Sequence, residues 1–129
     1  MTLERRTFLA AAAALGVAGP ATAATQATAM YGMIGKMTAR AGQRDALAAI
    51  LIEGVAAMPG CLSYVVANDP ADGNVLWITE VWESKDAHDR SLTLPSVRAA
   101  IIKGRPMIAA METVAETNPV GGAGLRARS

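Results

Sequence analysis

One histidine is the residue best suited to move a proton in this chain. His88 is the only histidine among 129 residues. An imidazole titrates near neutral pH, so His88 is the best candidate for a general base. It falls early in a polar helical stretch, beside Asp89 and Arg90. That setting is also typical of a solvated surface residue, so residue type alone leaves both roles open.

Two tryptophans on one predicted strand offer a wall for a ligand. Trp77 and Trp82 are an odd number of residues apart, so the alternation of a strand places them on opposite faces. One therefore belongs to the core and the other to an interface or a pocket. We favour Trp82 for the pocket, where its ring could stack on a planar ligand. Glu80 lies among apolar residues on the same strand, and we expect it to pair with an arginine, within the chain or across a dimer, in a structural role rather than to act as an acid or base.

Four further polar residues could contact the oxygen atoms of a ligand. Tyr64 and Asn68 are on one predicted strand with an even spacing, so they face the same way and could hydrogen-bond a ligand. They could equally serve sheet packing and the turn that follows. Arg98 and Arg105 could offset a negative charge that develops on the ligand.

The single cysteine excludes an intramolecular disulfide. The neighbours of Cys61 are typical of a strand, so we expect a small buried residue there. A reactive thiol and an intermolecular bridge remain as alternatives. One cysteine and one histidine also argue against a zinc site built from protein ligands alone.

The elements that must position these residues follow from two hydrophobic periods. Apolar residues that alternate predict strands, and steps of three and four residues predict amphipathic helices. Gly and Pro residues separate the segments, and Ser84 can cap the second helix. The predicted order is strand Met30–Ala39, helix Gln43–Met58, strand Cys61–Asn68, strand Asn74–Trp82, helix Ser84–Leu92, helix Pro95–Gly104 and strand Met111–Thr117.

The order β-α-β-β-α-β predicts an α+β domain of the ferredoxin-like kind. Four antiparallel strands would carry the helices on one face and leave the other face bare. That bare face would still hold several apolar side chains. We therefore expect a second copy to pack on it, sheet to sheet, in a homodimer.

The first 23 residues have the features of a cleavable export signal. The pair Arg5-Arg6 precedes a mildly apolar stretch, and Ala21–Ala23 offers a small-x-small cleavage site. The apolar stretch is far shorter than the roughly 20 residues of a membrane span. The arginine pair resembles the twin-arginine motif, with an ordinary Sec signal and an uncleaved anchor as alternatives. We expect a signal at 1–23, a leader at 24–29, a domain at 30–118 and a flexible tail at 119–129, in a periplasmic or extracellular protein.

The charge of the mature chain is balanced. Cleavage after Ala23 removes Glu4, Arg5 and Arg6 and leaves ten basic and ten acidic residues from totals of 12 and 11. Nothing in this balance attracts nucleic acid or an anionic membrane.

Several short segments, in this order and spacing, resemble one known family. They are Met33–Lys36, Pro59–Cys61, Glu80–His88 and Leu94–Val97. Together they resemble the antibiotic biosynthesis monooxygenase (ABM) family, including its branch of proposed quinol monooxygenases. The resemblance covers nearly all of the chain from Met30 to Val120.

The resemblance implies a dimeric α/β barrel of ferredoxin-like subunits. It also implies an oxygenase that works without flavin, metal or haem on a small phenol or quinol and O₂. In that setting His88 would be the base and Trp82 a wall of the pocket. Tyr64 and Asn68 would hydrogen-bond a quinol oxygen, and Arg98 and Arg105 would offset negative charge.

Two other functions compete with this one. The first is a dimer that binds a small ligand or responds to stress and has no catalytic activity, because one fold serves many functions. The second is a haem-degrading relative, which would use an asparagine on the first strand and a later helical histidine. This chain has Gly35 and Lys36 on that strand and Val97–Ala100 in the later helix, so haem degradation is disfavoured.

Overall fold

The structure is a computed structural model that describes residues 29–128. The predicted signal at 1–23 and most of the predicted leader lie outside the described residues. No helix within 29–128 is long and apolar enough to span a membrane.

Four antiparallel strands form one sheet in the order β2-β3-β1-β4. Three helices complete the β-α-β-β-α-β succession, and a short 3₁₀ turn at Arg105–Met107 follows the last of them. This is the ferredoxin-like α+β arrangement, so the predicted fold class is confirmed. The elements are β1 (Tyr31–Ala39), α1 (Arg44–Gly54), β2 (Cys61–Asn68), β3 (Val75–Trp82), α2 (Lys85–Ser91), α3 (Pro95–Gly104) and β4 (Ile108–Thr117).

Local sequence explains where the helices begin and end. The Ser84 hydroxyl accepts a hydrogen bond from the Ala87 backbone N–H at 3.1 Å, as an N-cap residue should. Pro95 begins α3, where its missing N–H has no cost. Helix α1 ends at Gly54, earlier than predicted, and it packs closely against α3 at that residue. A Cβ at Gly54 would lie 2.6 Å from the Ala100 Cβ.

The strands alternate as predicted, and one face of the sheet is covered by the helices. On β1, Tyr31 pairs with Trp82, and Met33 pairs with Glu80. Farther along the same face, Gly35 pairs with Ile78. The indole nitrogen of Trp77, on the opposite face, donates to Asp69 Oδ2 at 2.8 Å.

The buried residues form two clusters at opposite ends of this covered face. The first contains Tyr31, Met58, Cys61, Trp82 and Ala87. The second contains Met37, Ala39, Leu47, Leu76 and Ile78. Cys61 is therefore a buried residue, as expected from the strand around it.

Helix α3 differs from the sequence prediction in one respect. The spacing of Val97, Ala100 and Ile101 predicts one buried apolar stripe on this helix, but Ile101 is 38% exposed. The reason is a cleft that stays open between α3 and β4, with Ile101 and Met111 at its mouth. Strand β4 begins at Ile108, earlier than predicted. The sequence pattern did not indicate its first residues, because Ala109 and Ala110 give no clear alternation of apolar and polar side chains.

The C-terminal segment runs from β4 towards the opposite edge of the sheet. Pro119 packs against Gly32, where a Cβ would lie 2.9 Å from the Pro119 Cγ. Farther along, the Arg126 backbone N–H donates to the Leu62 carbonyl at 2.9 Å. The flexibility of this tail stays a prediction, and these contacts show where it lies on the domain.

Candidate functional site

A cavity of about 610 Å³ lies between the covered face of the sheet and helices α1 and α3. This volume falls in the range of small-molecule pockets. Its floor comes from β1 and β3, and its roof from α1 and α3. Most of the lining is apolar, as in Met33, Leu51, Val97 and Ala100.

Glu80 is the buried carboxyl group of the cavity wall. Its side chain accepts a hydrogen bond from Trp82 Nε1 at 2.8 Å through Oε1. The same oxygen lies 3.9 Å from His88 Nε2. Burial raises the pKa of Glu80, and the hydrogen bond from Trp82 and the charge of His88 oppose that shift in part. Within residues 29–128 the partners of Glu80 are Trp82 and His88 and not an arginine, and an arginine partner across a dimer stays a prediction.

His88 is fixed between two aromatic rings and a surface carboxylate. Its ring centroid lies 5.2 Å from that of Tyr31 and 5.5 Å from that of Trp82. His88 Nδ1 lies 3.0 Å from Asp89 Oδ1. Hydrogen bonds from His88 and Lys85 lower the pKa of Asp89, so this carboxylate only accepts. We therefore assign a proton to Nδ1, which donates to Asp89, while Nε2 faces Glu80 and the cavity.

Tyr64 completes the polar end of the cavity. It pairs with Glu80 across β2 and β3, and both residues line the cavity. Burial and the charge of Glu80 raise the pKa of Tyr64, so its hydroxyl keeps its proton at neutral pH. That hydroxyl donates to no residue within 29–128, and it is available to a ligand oxygen.

The six predicted site residues do not all meet. Trp82, His88 and Tyr64 come together at the polar end, and Arg105 lines the opposite end of the same cavity. Asn68 and Arg98 are not part of the lining. Asn68 shares a face with Tyr64 but pairs with Leu76 at the exposed end of β2. Arg98 follows the cavity-lining Val97, and one step along a helix turns its side chain to solvent.

The sequence interpretation missed two residues that shape this site. The Tyr31 hydroxyl donates to Glu116 Oε2 at 2.6 Å, and this bond, with burial and neighbouring carboxylates, raises the pKa of Tyr31 to about 12. The alternation on β1 placed Tyr31 on the correct face, but only the β1–β3 register shows that it meets Trp82 and His88. Gly35 also lines the cavity, and a glycine carries no side chain that would draw attention to it.

Glu80→Gln is expected to change how stability depends on pH. The pKa of Glu80 is raised in the folded chain from its ordinary value of 4.5. The contribution of Glu80 to the free energy of unfolding is therefore fully present below pH 4.5. The contribution is lost as the pH rises through the raised pKa. The variant should therefore gain stability relative to the wild type between about pH 4 and about pH 8. Urea unfolding at both pH values measures this difference. Glu53→Gln, at an exposed position on α1, is the control, and equal pH profiles for all three proteins would contradict the prediction.

Comparisons with known proteins agree with this fold. The sequence profile of the family described as "Antibiotic biosynthesis monooxygenase" (ABM) matches residues 30–102, which is more than half of the chain. No match was found among proteins of curated function.

Solved structures support the same family and the same fold. A proposed antibiotic biosynthesis monooxygenase from Chloroflexus aurantiacus J-10-fl is 63% identical, with a TM-score of 0.73. The match covers 75% of this chain and 99% of that one. A proposed member from Caulobacter crescentus CB15 is 19% identical over 73% of this chain and 92% of that one, with a TM-score of 0.66. The second structure shows the shared fold alone. The first, together with the profile, shows that this chain belongs to the antibiotic biosynthesis monooxygenase family.

Proposed function

We propose that the mature protein is an exported monooxygenase that oxidises a small quinol or phenol with O₂ and no cofactor. The observation that carries this proposal is the polar end of the cavity. There a histidine nitrogen, a buried carboxyl group and a tyrosine hydroxyl that has no hydrogen-bond partner within residues 29–128 face one mostly apolar space. A base and a hydrogen-bond donor in an apolar pocket are what the ionisation of a quinol requires.

The overall reaction joins a hydroquinone and O₂ to give a hydroxyquinone and water. His88 Nε2 takes the proton of a ring hydroxyl, and the phenolate passes one electron to O₂. The two radicals then join through a C–O bond to a ring carbon, and the peroxide takes the proton back from His88. Loss of the ring C–H proton breaks the O–O bond and leaves a carbonyl. The released hydroxide and that proton form water.

The other residues at the polar end stabilise the negative charge of the ionised ring or hold Glu80 and His88 in position. The Tyr64 hydroxyl can donate to the phenolate oxygen, which stabilises negative charge in an apolar site. The Trp82 ring forms the wall beside His88, and its N–H holds Glu80 in place. Asp89 orients the imidazole and stabilises the imidazolium that forms.

Oxygen uptake by the purified mature protein tests this proposal. The substrates are a panel of hydroquinones, and the variant is Trp82→Phe, which removes the donor to Glu80 and keeps an aromatic ring. We expect uptake with at least one substrate and a clear loss of rate in the variant. Absence of uptake with every substrate, while the same compounds still bind, would instead support the non-catalytic binding function.

We also propose that the protein acts as a homodimer that uses the face of the sheet opposite the helices. At the centre of that face, Thr79 on β3 pairs with Ile34 on β1 and with Val65 on β2. Val65 is 52% exposed there, and such apolar surface favours association. An isologous contact between two copies would cover it.

Thr79→Lys is expected to convert the dimer into a monomer, because it places a charge at the centre of the proposed interface. Sedimentation velocity of the wild type and the variant measures this change. Thr93→Lys, at an exposed turn between α2 and α3, is the matched control and should stay dimeric. A monomeric wild type at micromolar concentration would contradict the proposed dimer.

Export through a twin-arginine pathway is the remaining part of the proposal. It is supported by the sequence of residues 1–23. Replacing both Arg5 and Arg6 by lysine should retain the protein in the cytoplasm on cell fractionation. Normal export of this variant would favour an ordinary Sec signal.

A further inference from the structure

The cavity is much larger than its polar end. Polar groups gather around Glu80, His88 and Tyr64. The cavity then continues past mostly apolar residues towards Leu47 and Ile108, and Lys36, Arg105 and Glu112 also contribute to its lining. An apolar cavity of roughly 150 Å³ is enough to hold benzene, whereas this cavity measures about 610 Å³. A single ring at the polar end would therefore leave most of the apolar space empty.

Gly35 keeps the middle of the cavity floor open. On β1 it lies between Met33 and Met37 on the same face, and all three line the cavity. Its φ is not among the positive values of the chain, so the backbone there does not require glycine. A Cβ would meet only the Glu112 and Ile78 carbonyl oxygens, at 3.7 and 3.9 Å, which are ordinary contacts. The missing side chain thus leaves space for a ligand and relieves no strain.

The open floor joins the polar end to a long apolar channel. From Met33 to Met37 the strand advances roughly 13 Å at its usual rise per residue. The mouth of the cleft carries large apolar side chains, since Ile101 is 38% and Met111 is 66% exposed. Both of them line the cavity.

We propose that the substrate is a phenol or quinol with an apolar substituent that lies over Gly35 and fills the channel. This inference rests on the proposed function only in taking the ring to be phenolic. The ring hydroxyl would lie at Glu80, His88 and Tyr64. The substituent would extend along β1 towards Met37 and Ile108, and its burial would supply much of the affinity.

Calorimetric titration with para-alkylphenols of increasing chain length, without O₂, tests this inference. Each methylene that enters the channel should tighten binding by about fourfold. Gly35→Leu should abolish that gain. Gly73→Leu, in a turn where a Cβ meets nothing within 4 Å, is the matched control and should keep the full gain. Gly35→Ala adds a single methyl group, so it keeps the test decisive if leucine prevents folding, and it should reduce the gain for the longest chains.

Two results would overturn the inference. One is an affinity in the wild type that does not depend on chain length. The other is an undiminished gain in both Gly35 variants. The binding test is independent of catalysis, because no turnover occurs without O₂. If binding depends on chain length but the protein never consumes O₂, the proposed function is wrong and this inference stands. If the protein oxidises unsubstituted hydroquinone but binding does not depend on chain length, the proposed function stands and this inference is wrong.

Discussion

His88→Ala is expected to lower the rate of quinol oxidation by about 10²–10⁴-fold, the usual contribution of a positioned general base. The variant removes the imidazole nitrogen that faces Glu80 and the cavity. The phenol would then have to ionise without a base in an apolar site. Substrate binding should change little, because Tyr64 and Trp82 remain. Steady-state oxygen uptake should therefore show the loss mainly in kcat.

Two controls separate catalysis from folding at this position. Arg90→Ala changes an exposed residue of the same helix and should keep the wild-type rate. His88→Gln keeps hydrogen-bonding capacity but cannot take a proton in the required range, so it should be as slow as alanine. Added imidazole should restore part of the rate of His88→Ala. A fully active glutamine variant would show that His88 only positions its neighbours.

Leu76→Ala is expected to lower the free energy of unfolding by about 2–5 kcal/mol, the range for large-to-small changes in a core. Leu76 is completely buried on β3, in the cluster with Met37 and Leu47. It is not among the residues that line the cavity. A domain of this size has a total stability of about 5–15 kcal/mol, so the loss would be a large fraction.

Urea unfolding measures this loss, and oxygen uptake shows whether the site is spared. Ile102→Ala, at a residue that is 72% exposed, is the matched aliphatic control and should change stability by less than about 0.5 kcal/mol. Below the unfolding transition, Leu76→Ala should oxidise quinol at the wild-type rate. An equal cost for both variants would mean that the second cluster is not a packed core.

The strands were predictable because their signal is local. Alternation alone puts Tyr31 on the same face of β1 as Met33 and Gly35, which line the cavity. It also puts Trp77 and Trp82 on opposite faces. The cap at Ser84 is also local, since it needs only a hydroxyl ahead of a free backbone N–H. These features depend on residues that are neighbours in the sequence.

The site was only partly predictable because it depends on contacts between distant segments. The register between β2 and β3 decides that Tyr64 pairs with Glu80 while Asn68 lies beyond the cavity. The rotation of α3 decides that Val97 faces the cavity and Arg98 faces solvent. The burial of Glu80 among Trp82, His88 and Tyr64 likewise depends on how α2 packs against β3. Periodicity does not contain that information.

The chemistry of the site comes from its asymmetry. A buried carboxyl group with a raised pKa, a neutral tyrosine and a histidine held by Asp89 lie at one end of a cavity that is otherwise mostly apolar. Such a site favours a ligand with one polar end. Gly35 lies in the floor of the same cavity, where it has no side chain to fill the space.

The most direct test of the central proposal follows the oxygen atoms themselves. The purified wild-type protein is given a hydroquinone and O₂ labelled with the heavy isotope of oxygen, and the product is analysed by mass spectrometry. We predict one labelled oxygen atom in each hydroxyquinone, with the second released as labelled water. A product without label, or no product beyond the rate of the protein-free solution, would contradict monooxygenation in this cavity.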